Sequence, residues 1–416
     1  MAASTPHAGP PGPPGPPGRD VVELPRAGIP VFSLIQCKEC LNLRHHRSFL
    51  RLRLVLLVLH GYVGWRLLPG LSLGIWSNVV GAGYLLTSAL LMPWVIRVTW
   101  LNGRWFAWPV AVMTGVFSFL LLFTLARDIL LATWHVATAP TALLVTGSAW
   151  GVLIASSVLS IYAVWQARRV PRVVDVSVPL VGLPAALEGL AIVQLSDLHI
   201  GPTIKRQHLQ RIVERVNSLT PDLVAITGDL TDGRVAELEE DLAPLANLSA
   251  RHGAFCVTGN HEYYSEAEAW VAAFERLGMR VLINECDIVE HDGAVLAVAG
   301  ITDLSAGYYV PAHRSDPVLA ARDIPPGATR LLLAHQPNSA PVAAEAGFAL
   351  QLSGHTHGGQ IWPWSLLARR ANRFLAGLGK EGRMWVYTSR GTGYWGPPMR
   401  FGAPSEITRI WLRRAD

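Results

Sequence analysis

Charge is scarce in this chain. Asp, Glu, Lys and Arg make up 16% of the 416 residues, against 50% hydrophobic ones, which is more apolar than an ordinary soluble enzyme. The deficit is local: Leu73–Ile96, Trp105–Ala126 and Ala142–Ala167 hold no charged residue at all. Each run is long enough to cross a hydrocarbon layer of about 30 Å, which takes about 20 helical residues. Three such runs in succession argue for membrane spans over buried core helices. A fourth candidate, Leu54–Leu73, is interrupted by His60 and Arg66, and Arg66 near its end is expected to snorkel to the interface. Trp65, Trp76, Trp94, Trp105, Trp150 and Trp165 fall near the expected span ends, where interfacial aromatics gather.

Cysteine is also rare. Cys37, Cys40, Cys256 and Cys286 are the whole set, too few and too scattered for a disulfide framework. Cys37 and Cys40 with His45 and His46 have zinc-like spacing, yet the sequence passes at once into a basic juxtamembrane segment. A structural zinc site needs four spaced ligands on a folded module, so chance spacing or acylation is an equal reading. The first apolar run begins far from Met1, so no cleavable signal is expected. Residues 1–30 are rich in Pro and Gly and are expected to be a disordered or polyproline-type tail. The net charge of +5 sits largely beside the apolar runs. It reads as membrane topology and contact with anionic headgroups, with no nucleic-acid partner.

Basic residues set the expected topology. Lys38, Arg44, Arg47, Arg51 and Arg53 precede or open the first span, Arg97 and Arg104 lie between the second and third, and Arg168, Arg169 and Arg172 follow the last. The other connections hold Arg66, or Arg127 beside Asp128. Four spans with both ends cytoplasmic fit this pattern, placing the rest of the chain on the cytoplasmic side of a plasma or inner membrane. The first span decides that side, since without it the remainder lands outside. The expected division is 1–48 as the N-terminal segment, 49–170 as the transmembrane region and 171–416 as a catalytic domain.

Beyond Pro171 the pattern becomes strand, loop, helix, repeated. Strands are expected at Leu190–Leu195, Leu223–Thr227, Phe255–Thr258, Ile288–Glu290, Val295–Gly300, Leu331–Ala334, Ala349–Leu352, Trp385–Thr388 and Glu406–Leu412, with an edge strand within Pro171–Pro184. Helices are expected at Thr203–Leu219, Val235–Leu248 and Ser265–Leu277, the last opening on a Ser265/Glu268 capping box. A hairpin-rich second half suggests two packed sheets.

Five short motifs follow these strands: Asp197-Leu198-His199, Gly228-Asp229-Leu230-Thr231-Asp232, Gly259-Asn260-His261-Glu262, His335, and Gly354-His355-Thr356-His357. Asp-x-His puts two donors on one side of an extended chain. Carboxylate and imidazole together suit Mn, Fe or Zn better than Ca or Mg. Asp229 has two oxygens to bridge two ions, Asn260 offers a neutral amide oxygen, and His335, His355 and His357 supply nitrogens. Ions ~3.5–4 Å apart would clamp a phosphate and activate water. His261 is expected to donate a proton to the leaving oxygen or to stabilise the phosphoryl group. Asp232 and Glu262 are expected to orient the ligands. Arg390 is open to two readings, a fork for a substrate phosphate or an exposed loop arginine. One histidine alone would be unremarkable, but all five blocks in order point to a metal centre.

These blocks resemble the calcineurin-like metallophosphoesterase superfamily, and Gly259-Asn260-His261-Glu262-Tyr263-Tyr264, Leu333-Ala334-His335-Gln336-Pro337 and Gly396-Pro397-Pro398-Met399-Arg400 resemble its membrane-anchored branch. The resemblance spans about the last 240 residues, a large single domain. It implies a four-layer α/β/β/α sandwich, one ion held by Asp197, His199, Asp229 and His357, and a second by Asp229, Asn260, His335 and His355. It also implies hydrolysis of a phosphomonoester, phosphodiester or pyrophosphate bond, with a lipid-linked substrate favoured by the nearby bilayer. The alternative is a non-catalytic membrane scaffold that kept the fold.

Overall fold

The computed structural model describes residues 44–94 and 104–415. The Pro/Gly tail, Cys37, Cys40 and Arg97 lie outside the described residues, as do the side chains of His45, His46 and Arg104.

Four apolar helices come first: α1 (Arg44–Leu67), α2 (Ile75–Leu91), α3 (Arg104–Ala137) and α4 (Ala142–Arg168). Among the described residues three segments are long and apolar enough to cross a membrane: Phe49–Leu71, Phe106–Ala137 and Ala142–Arg168. The short member is Ile75–Leu91, so the span interrupted by His60 and Arg66 is not the weak one. Two further expectations change here. The third helix does not stop at Ala126 but runs on through Arg127 and Asp128 to Ala137. Arg66 does not snorkel: its Nε donates to Asp128 at 2.7 Å, and the Tyr62 hydroxyl donates to the same carboxylate at 2.6 Å. Arg127 is buried and bonds the Ser148 hydroxyl and the carbonyls of Arg66 and Val145. Charges that answer one another let an apolar helix continue through them.

Twelve strands follow: β1 (Arg172–Val181), β2 (Ala191–Leu195), β3 (Leu223–Thr227), β4 (Ala254–Val257), β5 (Arg280–Val281), β6 (Glu285–His291), β7 (Ala294–Ile301), β8 (Thr329–Ala334), β9 (Leu350–Ser353), β10 (Gly377–Glu381), β11 (Met384–Thr388) and β12 (Glu406–Ala415). They form two mixed six-stranded sheets, ordered β1-β12-β2-β3-β4-β5 and β10-β11-β9-β8-β7-β6. Within them β2, β3, β4 and β5 are parallel, as are β7, β8, β9 and β11. Parallel strands need both faces covered, and Leu223–Thr227 is accordingly buried at every position.

The helices α5 (Arg206–Asn217), α6 (Val235–Leu242), α7 (Asn260–Tyr264) and α8 (Ala267–Arg276) belong to the first half. Leu209, Ile212, Val213 and Val216 form the buried face of α5 and pack with Leu238 and Phe274 against Val193, Val224 and Cys256 of the first sheet. The inner faces meet through Ile192, Ala225, Phe255, Val298, Leu331 and Leu352. On the far side α9 (Pro317–Ala321) and α10 (Ala340–Glu345) cover the second sheet, with Ala320 and Ala343 against Ala299 and Leu332. The result is the α/β/β/α sandwich.

Local expectations needed two adjustments. Helix α6 ends at Leu242 and passes into a 3-10 turn, Ala243–Asn247, because Pro244 has no N–H for a longer α-helix. Ser265 does not cap α8: its hydroxyl donates to the carbonyls of His261 and Glu262 and accepts from Trp270 Nε1.

Candidate metal centre

All five motifs leave the C-terminal ends of parallel strands: β2, β3 and β4 in one sheet, β8 and β9 in the other. Carboxyl ends of parallel strands are where α/β folds place ligands. Here two sheets contribute edges to one crevice. The turns are tight. Asp197, His199, Asp229, His355 and His357 all have left-handed backbone, with φ between 49° and 68°. Such a conformation costs a non-glycine residue of the order of 1–3 kcal/mol and persists only where the surroundings impose it. Gly228, at φ 83° just before Asp229, has no room for a β-carbon beside the Gly259 backbone and the His335 ring.

The side chains fall into overlapping groups whose donor atoms lie within 4.8 Å of one another: Asp197, His199 and His357; Asp229, His335 and His355; and His199, Asp229 and His261. His199 Nε2 is 3.1 Å from His357 Nε2, which is 3.3 Å from Asp197 Oδ1. His335 Nε2 is 3.1 Å from Asp229 Oδ2, 3.1 Å from Asn260 Oδ1 and 3.2 Å from His355 Nδ1. Ligands bound at about 2.1 Å to one ion stand about 3.0–3.4 Å apart at octahedral to tetrahedral angles. The spacing and the mixed N/O chemistry therefore fit first-row divalent ions.

Asp229 is common to two groups, through one oxygen. Oδ2 lies 3.1 Å from His335 Nε2 and 3.8 Å from His199 Nε2, while Oδ1 accepts the His261 backbone N–H at 2.8 Å. The expected sharing by two separate oxygens is thus replaced by one inward oxygen, because the other is tied to the backbone.

Asp232 Oδ1 receives His199 Nδ1 at 2.8 Å and His261 Nδ1 at 2.6 Å. One carboxylate so orients a candidate ligand and the candidate proton donor, leaving both Nε2 atoms facing inward. Glu262 accepts backbone N–H groups from Gly259, Asp229, Leu230 and Thr231 at 2.7–3.2 Å, which locks two motif loops together. His261 is flanked by the rings of Tyr264 and Trp395, centroids 5.1 and 5.9 Å away. Burial lowers its basicity, but the Asp229 and Asp232 charges outweigh that and raise it to about 9. Burial, with Arg400 nearby, pushes His357 down to about 4 despite Asp197, whereas at His335 burial is outweighed by the Asp229 charge, which raises it. Burial and then the Asp229 charge raise Glu262 to about 6.

The structure brings together Asp197, His199, Asp229, Asn260, His261, His335, His355 and His357, with Asp232 and Glu262 behind them. Arg390 stands apart. Its Nη1 pairs with buried Glu406 at 2.9 Å and its backbone N–H bonds the same carboxylate, while its side chain stays 32% exposed. Arg400 was not singled out from sequence. It is buried against His357, and in the sequence it stands only as the end of the Gly396-Pro397-Pro398-Met399-Arg400 block that carries the resemblance.

Residues 190–359 match the family model for calcineurin-like phosphoesterase. The transmembrane protein with metallophosphoesterase domain of Danio rerio is 42% identical over 271 residues, covering 63% of this chain and 62% of that protein. An uncharacterized metallophosphoesterase of Campylobacter jejuni is 34% identical over 267 residues, covering 63% of this chain and 68% of its own. Among solved structures, calcineurin-like phosphoesterase YfkN from Bacillus subtilis aligns at 16% identity with a TM-score of 0.35, over 50% of this chain and 82% of that one. The chain spans 62% of the Danio rerio relative and the same share of its Bos taurus counterpart. With the motif order, the two-sheet sandwich, the family-model match and the Campylobacter jejuni relative, of which this chain covers 68% at 34% identity, the chain belongs to the calcineurin-like phosphoesterase family.

Proposed function

We propose that this chain is a membrane-anchored hydrolase that cleaves a phosphomonoester, phosphodiester or pyrophosphate bond at a centre of two divalent ions, Mn, Fe or Zn. The observation that carries this reading is Asp229 Oδ2, shared between the His199 side and the His335 side of one crevice. Asp197, His199, Asp229 and His357 would hold one ion, and Asp229, Asn260, His335 and His355 the other. Bound there, the ions would act as Lewis acids on the phosphoryl group and lower the pKa of water. The chain's own contribution is positional. Asp232 fixes the His261 ring through Nδ1, so that Nε2 holds a proton for the leaving oxygen. Trp395 and Tyr264 flank that ring and limit its motion. A non-catalytic scaffold has no observation in its favour, since every ligand position keeps a donor side chain.

A lipid-linked substrate is supported by the segment following His357. Trp362, Trp364, Leu366 and Leu367 are 50%, 38%, 61% and 58% exposed, and Trp364 Nε1 donates to Ser118 of α3. Arg369 and Arg370 follow on the same short helix, Ser365–Ala371. Aromatic, leucine and arginine side chains together suit a headgroup boundary. We assign 1–48, 49–170 and 171–416 as segment, anchor and catalytic domain, with the domain cytoplasmic. That side depends on α2, the short helix, and a cysteine-accessibility map of the connections tests it.

Activity is tested on p-nitrophenyl phosphate and bis-p-nitrophenyl phosphate with added Mn. Turnover of either with bound metal is expected. No turnover and no metal would sink the enzyme reading. Faster turnover of a phosphate monoester carried in phosphatidylcholine vesicles than of the soluble esters is expected for a lipid-linked substrate, and no vesicle turnover would remove that part alone.

A further inference from the structure

The metal centre is not held by the α/β sandwich alone. Between β11 and β12 the chain returns to the apolar helices, and residues 399–401 point alternately to either side. Met399 is buried with Phe119 of α3, Ala163 of α4 and Ile361. Its thioether fills the space where a β-carbon on Gly115 of α3 would stand. Phe401 sets its ring edge-on to Phe119 and to Tyr162, at centroid distances of 5.6 and 6.4 Å. Between these two anchors the Arg400 backbone N–H donates to the Ala163 carbonyl of α4 at 2.9 Å.

The Arg400 side chain turns the other way, and it is 1% exposed. Its Nη1 donates to the carbonyls of His357, Arg390 and Ala403 at 2.9, 2.7 and 3.2 Å. Nε donates to the Gly393 carbonyl at 3.1 Å, and Nη2 lies 3.1 Å from His357 Nδ1. A guanidinium is a rigid planar fork, so its position transmits to everything it holds. His357 sits in left-handed backbone and needs such outside support.

We propose that α3 and α4 are a working part of the metal centre: by seating Met399 and Phe401 they fix Arg400, and Arg400 fixes His357. The proposal rests on the reading of His357 as a metal ligand. Arg400 is a positioning residue, touching neither substrate nor ion. A misplacement of about 1 Å transmitted from far away is enough to cost about 10²-fold, so a change inside an apolar helix reaches the centre.

The test uses the full chain in nanodiscs and the variants Gly115→Ala, Met399→Ala and their combination. Bound Mn is counted by elemental analysis at fixed free Mn, and the spin-coupled pair is read by electron paramagnetic resonance. Gly115→Ala is expected to lose about 10-fold in affinity for one of the two ions, with loss of the coupled signal. Met399→Ala, which removes one of the two anchors of Arg400, is expected to show the same losses, and the combined variant no greater loss than Met399→Ala alone, because both changes act through one contact. A Gly115→Ala or a Met399→Ala protein with wild-type Mn affinity and coupling would overturn the coupling. Wild-type protein that binds no Mn would instead overturn the reading of the site. If Gly115→Ala does not fold, Arg400→Lys carries the test, because the shorter reach of one ammonium cannot span the His357 and Gly393 carbonyls. Loss of the coupled signal is then expected, and its retention refutes the proposal.

Discussion

Two clusters of charge in the chain are treated in opposite ways. Among the helices, Asp128 faces Arg66 and Tyr62, and Arg127 beside it is spent on a hydroxyl and two carbonyls. Opposite charges answer each other there, and the remaining Asp128 oxygen has Arg127 Nη1 at 3.7 Å but no hydrogen bond. At the crevice, candidate ligands crowd one another: Asp229 Oδ2 has the Nε2 atoms of His335, His199 and His261 at 3.1, 3.8 and 3.9 Å, while Asp197 faces His357. A cluster of paired charges supports a helix packing. An open cluster of oxygen and nitrogen lone pairs calls for a cation. The helical cluster is thus structural, and the crevice is chemical.

That contrast breaks most sharply at Asp229. Asp229→Asn is expected to remove metal and activity together, by more than the about 100-fold that loss of an outer-sphere partner costs. Elemental analysis beside turnover measures it, and metal retained at wild-type affinity would refute the shared role. His261→Ala is expected to keep most metal while turnover falls by about 10²–10⁴-fold, the range for a general acid. Equal loss of metal and rate would make His261 a ligand instead. For Asp232→Asn the expected loss is about 10–100-fold, shared between metal affinity and rate because the carboxylate holds both His199 and His261. At the other pole, Asp128→Ala should lower helix stability by about 1–3 kcal/mol, less than for a fully buried pair because Arg66 is a third exposed. Its Mn content should stay unchanged. A thermal melt with metal analysis checks both, and lost metal would erase the distinction between the clusters.

The crevice was far more legible in the sequence than its supports. Asp-x-His, Gly-Asp and Gly-Asn each follow an apolar run of four to six residues, and strand period and strand end together predict where the side chains go. The strands appeared within a few residues of their expected ends, β3 at its expected bounds of Leu223–Thr227. Arg400 escaped because its role depends on a contact between segments 43 residues apart, and no local pattern encodes that. The shared oxygen of Asp229 escaped for a similar reason, since the His261 backbone decides which oxygen is free. Arg66 and Arg127 misled because a charge in an apolar run reads as an end until its partner is known. Ser265 and Glu268 had the spacing of a cap, but Trp270 and the α7 carbonyls took the hydroxyl.

The left-handed backbone at Asp197, His199, Asp229, His355 and His357 bears on the chain's history. Glycine adopts that conformation without the steric cost, so a lineage freed from chemistry would gain stability by exchanging any of the five for glycine. An idle copy of this fold is therefore under steady pressure to lose its donors at these positions before it loses its core. This chain keeps an aspartate or a histidine at every one of them. Those five donors are the ones the proposed metal centre requires, so the strain of the turns and the proposed chemistry fall on the same residues.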